Sequence, residues 1–177
     1  ADTPALSDTT RAAFSTLLSG VGVTVDAATL PAALDLLQTA LDQQASKSVM
    51  DTPAKLEGLL ATAQGLLTLA GKAQVFAGDR LPTSMAATDL AALGVMPATA
   101  SNAAAAAVLS AVSAQAASAV DSLAEVQALA SQAIKAQAKI SAYADDASKP
   151  VPGAADYLAI GLVKADGSAL VGSDNLG

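Results

Sequence analysis

Acidic residues are the side chains of this sequence that come nearest to forming a metal or catalytic site. Asp145-Asp146 and Asp166-Gly167 could offer carboxylate oxygens to calcium. A calcium loop of the EF-hand kind needs oxygen ligands at alternate positions and a closing Glu. Neither stretch has that pattern, so both are interpreted as turns. Asp121 and Glu125 could form an acid–base pair, but acidic side chains at a helix start are favoured by the helix dipole in any case.

Two residue types that carry much of protein chemistry are missing. The 177 residues contain no Cys and no His. This excludes disulfides, thiolate nucleophiles, Cys/His zinc sites and Ser–His–Asp triads. The net charge is −7, with nine Lys and Arg residues that form no basic cluster, so no nucleic-acid partner is expected. We predict a protein that is not an enzyme, with no catalytic residues, no cofactor and no metal site.

The composition favours helices with thin cores. Hydrophobic residues make up 53% of the chain but aromatic residues only 2%, and alanine supplies most of the apolar count. Alanine is the strongest helix former, yet it buries little surface. Residues 100–120 carry no charge and approach the length of a membrane span. Because they are rich in Ala, Ser and Gln, we predict a packed helix there and no membrane span.

Hydrophobic spacing and capping residues predict a series of helices. The first is capped by Asp8 or Thr9 and stops at glycines 20–22. The second covers about 29–47 with Pro31 in its first turn. The third is capped by Thr52, begins at Pro53 and reaches about Ala77. A short helix over 87–93 follows, then one from Thr99 or Ser101 to Val120. The last opens with the capping box Ser122–Glu125 and reaches Tyr143.

One short stretch recurs along the chain. Residues 89–95, Asp-Leu-Ala-Ala-Leu-Gly-Val, return at 156–162 as Asp-Tyr-Leu-Ala-Ile-Gly-Leu, and a looser copy stands at 17–23. The interval from Gly22 to Gly94 is nearly equal to the interval from Gly94 to Gly161. A return at a near-constant interval is typical of repeat proteins. We therefore predict an elongated all-α chain of tandem three-helix units over 1–82 and 83–152, with a truncated third unit over 153–177.

The recurrence marks candidate contact residues. Phe76 precedes Asp89 by the same number of positions as Tyr143 precedes Asp156, and the two aspartates stand equally far ahead of their glycines. Scarce aromatic residues often mark interfaces, but here we favour the interpretation that they fill a joint between units. We interpret the following residues as contact anchors or as a joint between repeats: Phe76, Asp89, Gly94, Tyr143, Asp156, Tyr157 and Gly161.

The C-terminal part allows two interpretations. Asp166-Gly167 lies between apolar residues in 162–171, which is a turn signal for a small β-hairpin. Ser173-Asp174-Asn175-Leu176 matches the start of the helix near residue 99. The third unit is therefore expected to begin like the second, with or without the hairpin.

Two resemblances follow from these stretches. Residues 86–143 resemble the three-helix albumin-binding (GA) modules of bacterial surface proteins, through the helix stop Gly94-Val95 and the opening of the last helix at 122–129. Nearly the whole chain resembles the alanine-rich tandem repeats of large secreted bacterial adhesins, through residues 154–161 and 173–176. Residues 103–107 are all alanine where GA modules carry large and aromatic side chains, so albumin binding is not part of the expectation.

The resemblance implies a bacterial cell-surface or secreted location. It implies a non-enzymatic spacer or protein-contact module whose partners are neighbouring repeats and a protein or surface ligand. The alternative interpretation is a phasin-like protein that coats an apolar surface or granule, a role to which alanine-rich amphipathic helices are suited.

Overall fold

The computed structural model describes residues 6–26, 29–43, 52–70 and 85–162. Over these ranges the chain is predominantly helical and contains no strand. The α-helices described there are α1 (Asp8–Gly20), α2 (Pro31–Gln43), α3 (Pro53–Leu69), α4 (Ala87–Ala92), α5 (Asn102–Ser113), α6 (Leu123–Asp145) and α7 (Ala154–Ala159). A single turn of 3₁₀ helix, Ala117–Ala119, joins α5 to α6. The predicted all-α class is confirmed, whereas the predicted hairpin falls mainly on residues 163–171, outside the described ranges.

The helix starts follow the capping residues closely. The Thr52 side chain accepts a hydrogen bond from the Lys55 amide, with Pro53 at the first helical position, as predicted. Ser122 and Glu125 form the predicted reciprocal box, in which each side chain accepts from the other residue's amide.

The first cap was predicted wrongly. Ser7, and neither Asp8 nor Thr9, accepts a hydrogen bond from the Thr10 amide. Asp8 instead stands in the first turn of α1, where a carboxylate interacts favourably with the helix dipole. The predicted residue therefore supports the helix start electrostatically but does not cap it.

Two helices end earlier than the hydrophobic spacing predicts. α3 ends at Leu69, not near Ala77, and Ala70 leaves helical geometry with ψ 136°. The next residue in the sequence is a glycine, which disfavours continuation. α5 ends at Ser113, not at Val120, and Ala116 is already extended. α5 and α6 pack against each other, and the alanine-rich segment that connects them is not a continuous α-helix and exposes residues 116–119.

The helices pack around one continuous hydrophobic core. It extends from Leu18 in α1 to Ala133 in α6 and consists mainly of Leu, Ala and Val. In the first half α2 packs against α1 and α3, and in the second half α5 packs against α4 and α6. Across the predicted boundary α3 contacts α4 and α5, and α2 contacts α6. The two halves therefore share their core instead of each enclosing one.

α7 packs against α6 at the C-terminal end of the described chain. None of its residues is buried, and its Leu158 is 42% exposed. None of the helices that the structure describes combines the length and the hydropathy needed to cross a membrane.

Candidate functional site

The recurring stretch forms the same turn three times. We call these the first, second and third glycine turns, residues 18–23, 90–95 and 157–162. In each, the glycine has a positive φ: +90° at Gly22, +82° at Gly94 and +74° at Gly161. No other described residue has a positive φ. This conformation is open to glycine without steric cost, and it confirms that each copy ends a helix at its glycine.

The hydrogen bonds of the three turns are also the same. The amide after each glycine donates to the carbonyl five residues earlier: Val23 to Leu18 at 2.9 Å, Val95 to Leu90 at 2.9 Å and Leu162 to Tyr157 at 3.0 Å. Each glycine amide donates to the carbonyl three residues earlier, over 2.9–3.1 Å. These two bonds define the Schellman motif, which satisfies the last carbonyls of a helix.

The two aspartates of the recurring stretch begin the short helices. The Asp89 carboxylate accepts a hydrogen bond from the Ala86 amide at 2.9 Å, and the Asp156 carboxylate accepts one from the Gly153 amide at 2.7 Å. Ala86 and Gly153 have no side-chain oxygen of their own, so each Asp supplies half of a capping box from within the helix. α4 and α7 thus share a start and an end as well as a length of six residues.

A side chain from the following long helix reaches the first two turns. Gln127, five residues after the Ser122 cap, donates from Nε2 to the Gly94 carbonyl at 2.9 Å. Glu57, five residues after the Thr52 cap, accepts from the Thr24 amide at 3.3 Å, just past the first turn. Gln127 also donates to a side-chain oxygen at the end of α2, at 3.0 Å, and so links α6 to α2.

The third turn has neighbours that the second turn lacks. Lys139 of α6 donates from Nζ to the Asp156 carboxylate at 2.7 Å. This ammonium, together with the Gly153 amide, lowers the pKa of Asp156 below its ordinary value. A Cβ atom on Gly161 would lie 2.9 Å from a backbone nitrogen of α5 and closer still to the preceding carbonyl. By contrast, the same atom on Gly94 would meet only the Gln127 side chain, at 3.9 Å.

The predicted contact residues lie in different parts of the fold. Asp156 and Gly161 lie where α7 meets α6 and α5, whereas Asp89 and Gly94 shape α4 and the second turn. Tyr143 lies on α6 one turn after Lys139, and Tyr157 lies in the third turn. Both side chains are half-buried. Phe76 lies outside the described residues. The role of these residues as anchors or as a joint stays a prediction.

Three contributors were missed by the sequence reasoning. Lys139 lies four residues before Tyr143, a spacing that places both on one helical face and could have pointed to it. Gln127 and Glu57 each stand five residues after a helix cap, so aligning the two caps would have paired them. No sequence signal marked the part of α5 that meets Gly161, because only the packing of α7 brings the two together.

A surface cavity of about 440 Å³ lies between the second turn and α6. Residues 94–97 form one wall, and Gln127, Ser131, Ile134 and Lys135 form the other. The Ser131 hydroxyl cannot be activated by an imidazole, because the chain has no His. Across the described ranges no three carboxylate groups come together as they would around a metal ion.

No protein-family model, curated protein or solved structure matches this chain.

Proposed function

We propose that this chain is a non-enzymatic structural module of a long bacterial surface or secreted protein. In this proposal it is built of tandem three-helix units over 1–82 and 83–152, with the beginning of a third over 153–177. It acts as a spacer or as a protein-contact module. The observation that carries the proposal is the threefold occurrence of one Schellman turn, with φ between +74° and +90°, at nearly equal intervals along the chain.

The order of elements supports the unit plan. In each of the first two units a turn is followed by a helix and then by a long helix with a Thr or Ser cap. In both units the residue five positions after that cap bonds to the backbone at or beside the turn. The two bonds differ in direction, since Glu57 accepts and Gln127 donates, but they share the offset from the cap and the region of the turn that they reach.

The joint between units supports a continuous array. α4 packs on α3, and α7 packs on α6, so each short helix lies on the long helix that precedes it. Met85, just before α4, lies 3.2 Å from where a Cβ on Gly65 of α3 would stand. Pro152, just before α7, is fully buried. In repeat proteins neighbouring units complete each other's cores, which is consistent with the single core from Leu18 to Ala133.

Small-angle scattering of one copy and of two copies joined end to end tests the proposal. A linear array should roughly double its maximum dimension when its length doubles. Two copies that merged into one compact globule would grow only about 1.3-fold, because the radius of a single globule scales with chain length to the power of about 0.38. Growth of the second kind would refute the spacer role.

Flotation with lipid vesicles tests the phasin-like alternative. Leu17 and Val21, which are 68% and 54% exposed, are among the exposed aliphatic residues that favour it. A coat protein should be recovered with the vesicles, whereas a spacer module should stay in the dense fraction. Recovery with the vesicles would replace the proposal by the alternative.

A further inference from the structure

The C-terminal end of α1 carries an open apolar face. It consists of Leu17 and Val21, which stand five residues and one residue before Gly22 of the first turn. Residues four apart lie on the same side of a helix. Leu17 is the most exposed of the large hydrophobic residues in the described ranges, and apart from it only Val151 is more exposed than Val21. We call Leu17 and Val21 the α1 face.

In the later turns, the position one before the glycine is a contact position in both, and the position five before it is a contact position in the third. In the second turn that position holds Asp89, whose carboxylate bonds to the Ala86 amide of its own helix start. Five residues before Gly161 stands Asp156, which bonds to Lys139 of α6. One residue before each glycine of the later turns stands an apolar residue in contact with the core: Leu93 is fully buried, and Ile160 packs against the core. In both cases a long helix precedes the turn and packs on its short helix: α3 on α4, and α6 on α7.

α1 carries exposed apolar side chains at both positions, but no long helix precedes it in the described residues. Among the described residues it packs mainly against α2, which follows it in the chain. We infer that the α1 face is the docking surface for the third helix of a preceding unit of the same kind. This inference rests on the proposed function and names the partner of the first unit: an amphipathic helix of the α3 type.

The chemistry of position 17 selects the α3 type over the α6 type. Lys139 in α6 and Leu69 in α3 stand at the same offset from their caps, Ser122 and Thr52. Lys139 meets a carboxylate at position 156, but the leucine at position 17 has no acceptor to offer an ammonium. An aliphatic residue at that offset, as in α3, therefore matches position 17 without leaving a charge buried and unpaired.

The test adds a helix to the full chain. A second copy of residues 52–70 is attached ahead of residue 1 through about 12 Gly and Ser residues, which span roughly 20 Å and give an effective concentration of about millimolar. Because the chain has no Cys, the variants Leu17→Cys, Val21→Cys and Thr16→Cys each carry a single reactive thiol. Thr16 is exposed, as are the residues at the same position of the other two turns, so it is the matched control.

Docking predicts that thiol labelling at positions 17 and 21 slows about tenfold in the extended chain, as expected for a site largely filled at millimolar concentration. Labelling at position 16 should be unchanged. In a second extended chain, the added copy carries Leu59→Gln, Leu66→Gln and Leu69→Gln, which keep its helix propensity but remove its apolar side chains. That chain should label as fast as the chain without an added helix.

Equal labelling of the two extended chains would overturn the inference, whether or not circular dichroism shows the added segment to be helical. Protection that appears without the added helix and rises with protein concentration would also overturn it, because a second copy would then cover the face. Protection caused only by lipid vesicles would do the same. Failure here with a doubled dimension in scattering would leave the proposed array intact and show that its units join without the α1 face.

Discussion

Replacing Gly161 by Ala should release α7 from α5 and α6. The substitution has two costs. A non-glycine residue in the left-handed region costs roughly 1–2 kcal/mol, and Gly94→Ala should incur the same strain at a φ of +82°. Only Gly161→Ala also drives a methyl group into the Ser110–Ala111 backbone of α5, an overpacking cost of roughly 1–3 kcal/mol.

The two variants should relieve their strain in different ways. α7 contributes no residue to the buried core, so it can leave α5 while the rest of the fold persists. The second turn contributes the core residues Leu90, Leu93 and Val95 and cannot leave. Gly94→Ala should therefore lower the main melting temperature by roughly 2–8 °C for a strain of about 1–2 kcal/mol, whereas Gly161→Ala should change it little.

Hydrogen exchange measures the difference directly, because the two turns have equivalent amides. The Leu162 amide donates to the Tyr157 carbonyl, and the Val95 amide donates to the Leu90 carbonyl. The extra overlap predicts that Leu162 in Gly161→Ala loses roughly 5- to 150-fold more protection than Val95 loses in Gly94→Ala. Equal losses in the two variants would show that contact with α5 does not hold α7.

Three further predictions concern single residues. Gly58→Ala should raise stability by roughly 0.5–1 kcal/mol in urea unfolding, because Gly58 is inside α3 with open space around its Cβ position; a loss would contradict the free space seen there. Ser122→Ala should cost about 1 kcal/mol by removing the α6 cap, and Ser122→Thr, which keeps a hydroxyl that can both cap and bond to Glu125, should recover most of it in the same assay. The Lys139–Asp156 pair should weaken in acid. Because the pKa of Asp156 is lowered in the folded chain, its contribution is complete above the unfolded carboxyl pKa of about 4 and disappears as the pH falls through the folded value. The partly exposed pair should contribute less than about 1 kcal/mol. The Gly161 amide shift, followed from neutral pH into acid, should change in both proteins, but with a midpoint at higher pH in Lys139→Ala, because only the Gly153 amide then lowers the pKa of Asp156. An unchanged midpoint would show that Lys139 does not stabilise the carboxylate.

Local sequence was sufficient to predict the helical class and most of the helix starts. Thr52, Ser122 and Glu125 act on amides three residues away, so their effect is contained in the local sequence. The glycine turns are equally local, since a Schellman motif spans six residues and needs only a positive φ at its glycine. The first cap was misassigned because residues 7–9, Ser-Asp-Thr, are adjacent and of similar capping strength.

Tertiary packing was needed to establish where α5 ends and which glycine turn lies against another helix. The alanine-rich pattern continues past the end of α5, but the mainly small side chains of residues 114–119 bury too little surface to extend the helix. The contacts that distinguish the third turn join residues far apart in the chain, Lys139 to Asp156 and Gly161 to Ser110. Gly94 and Gly161 have the same local sequence pattern and the same backbone conformation, so their different neighbours follow from packing alone.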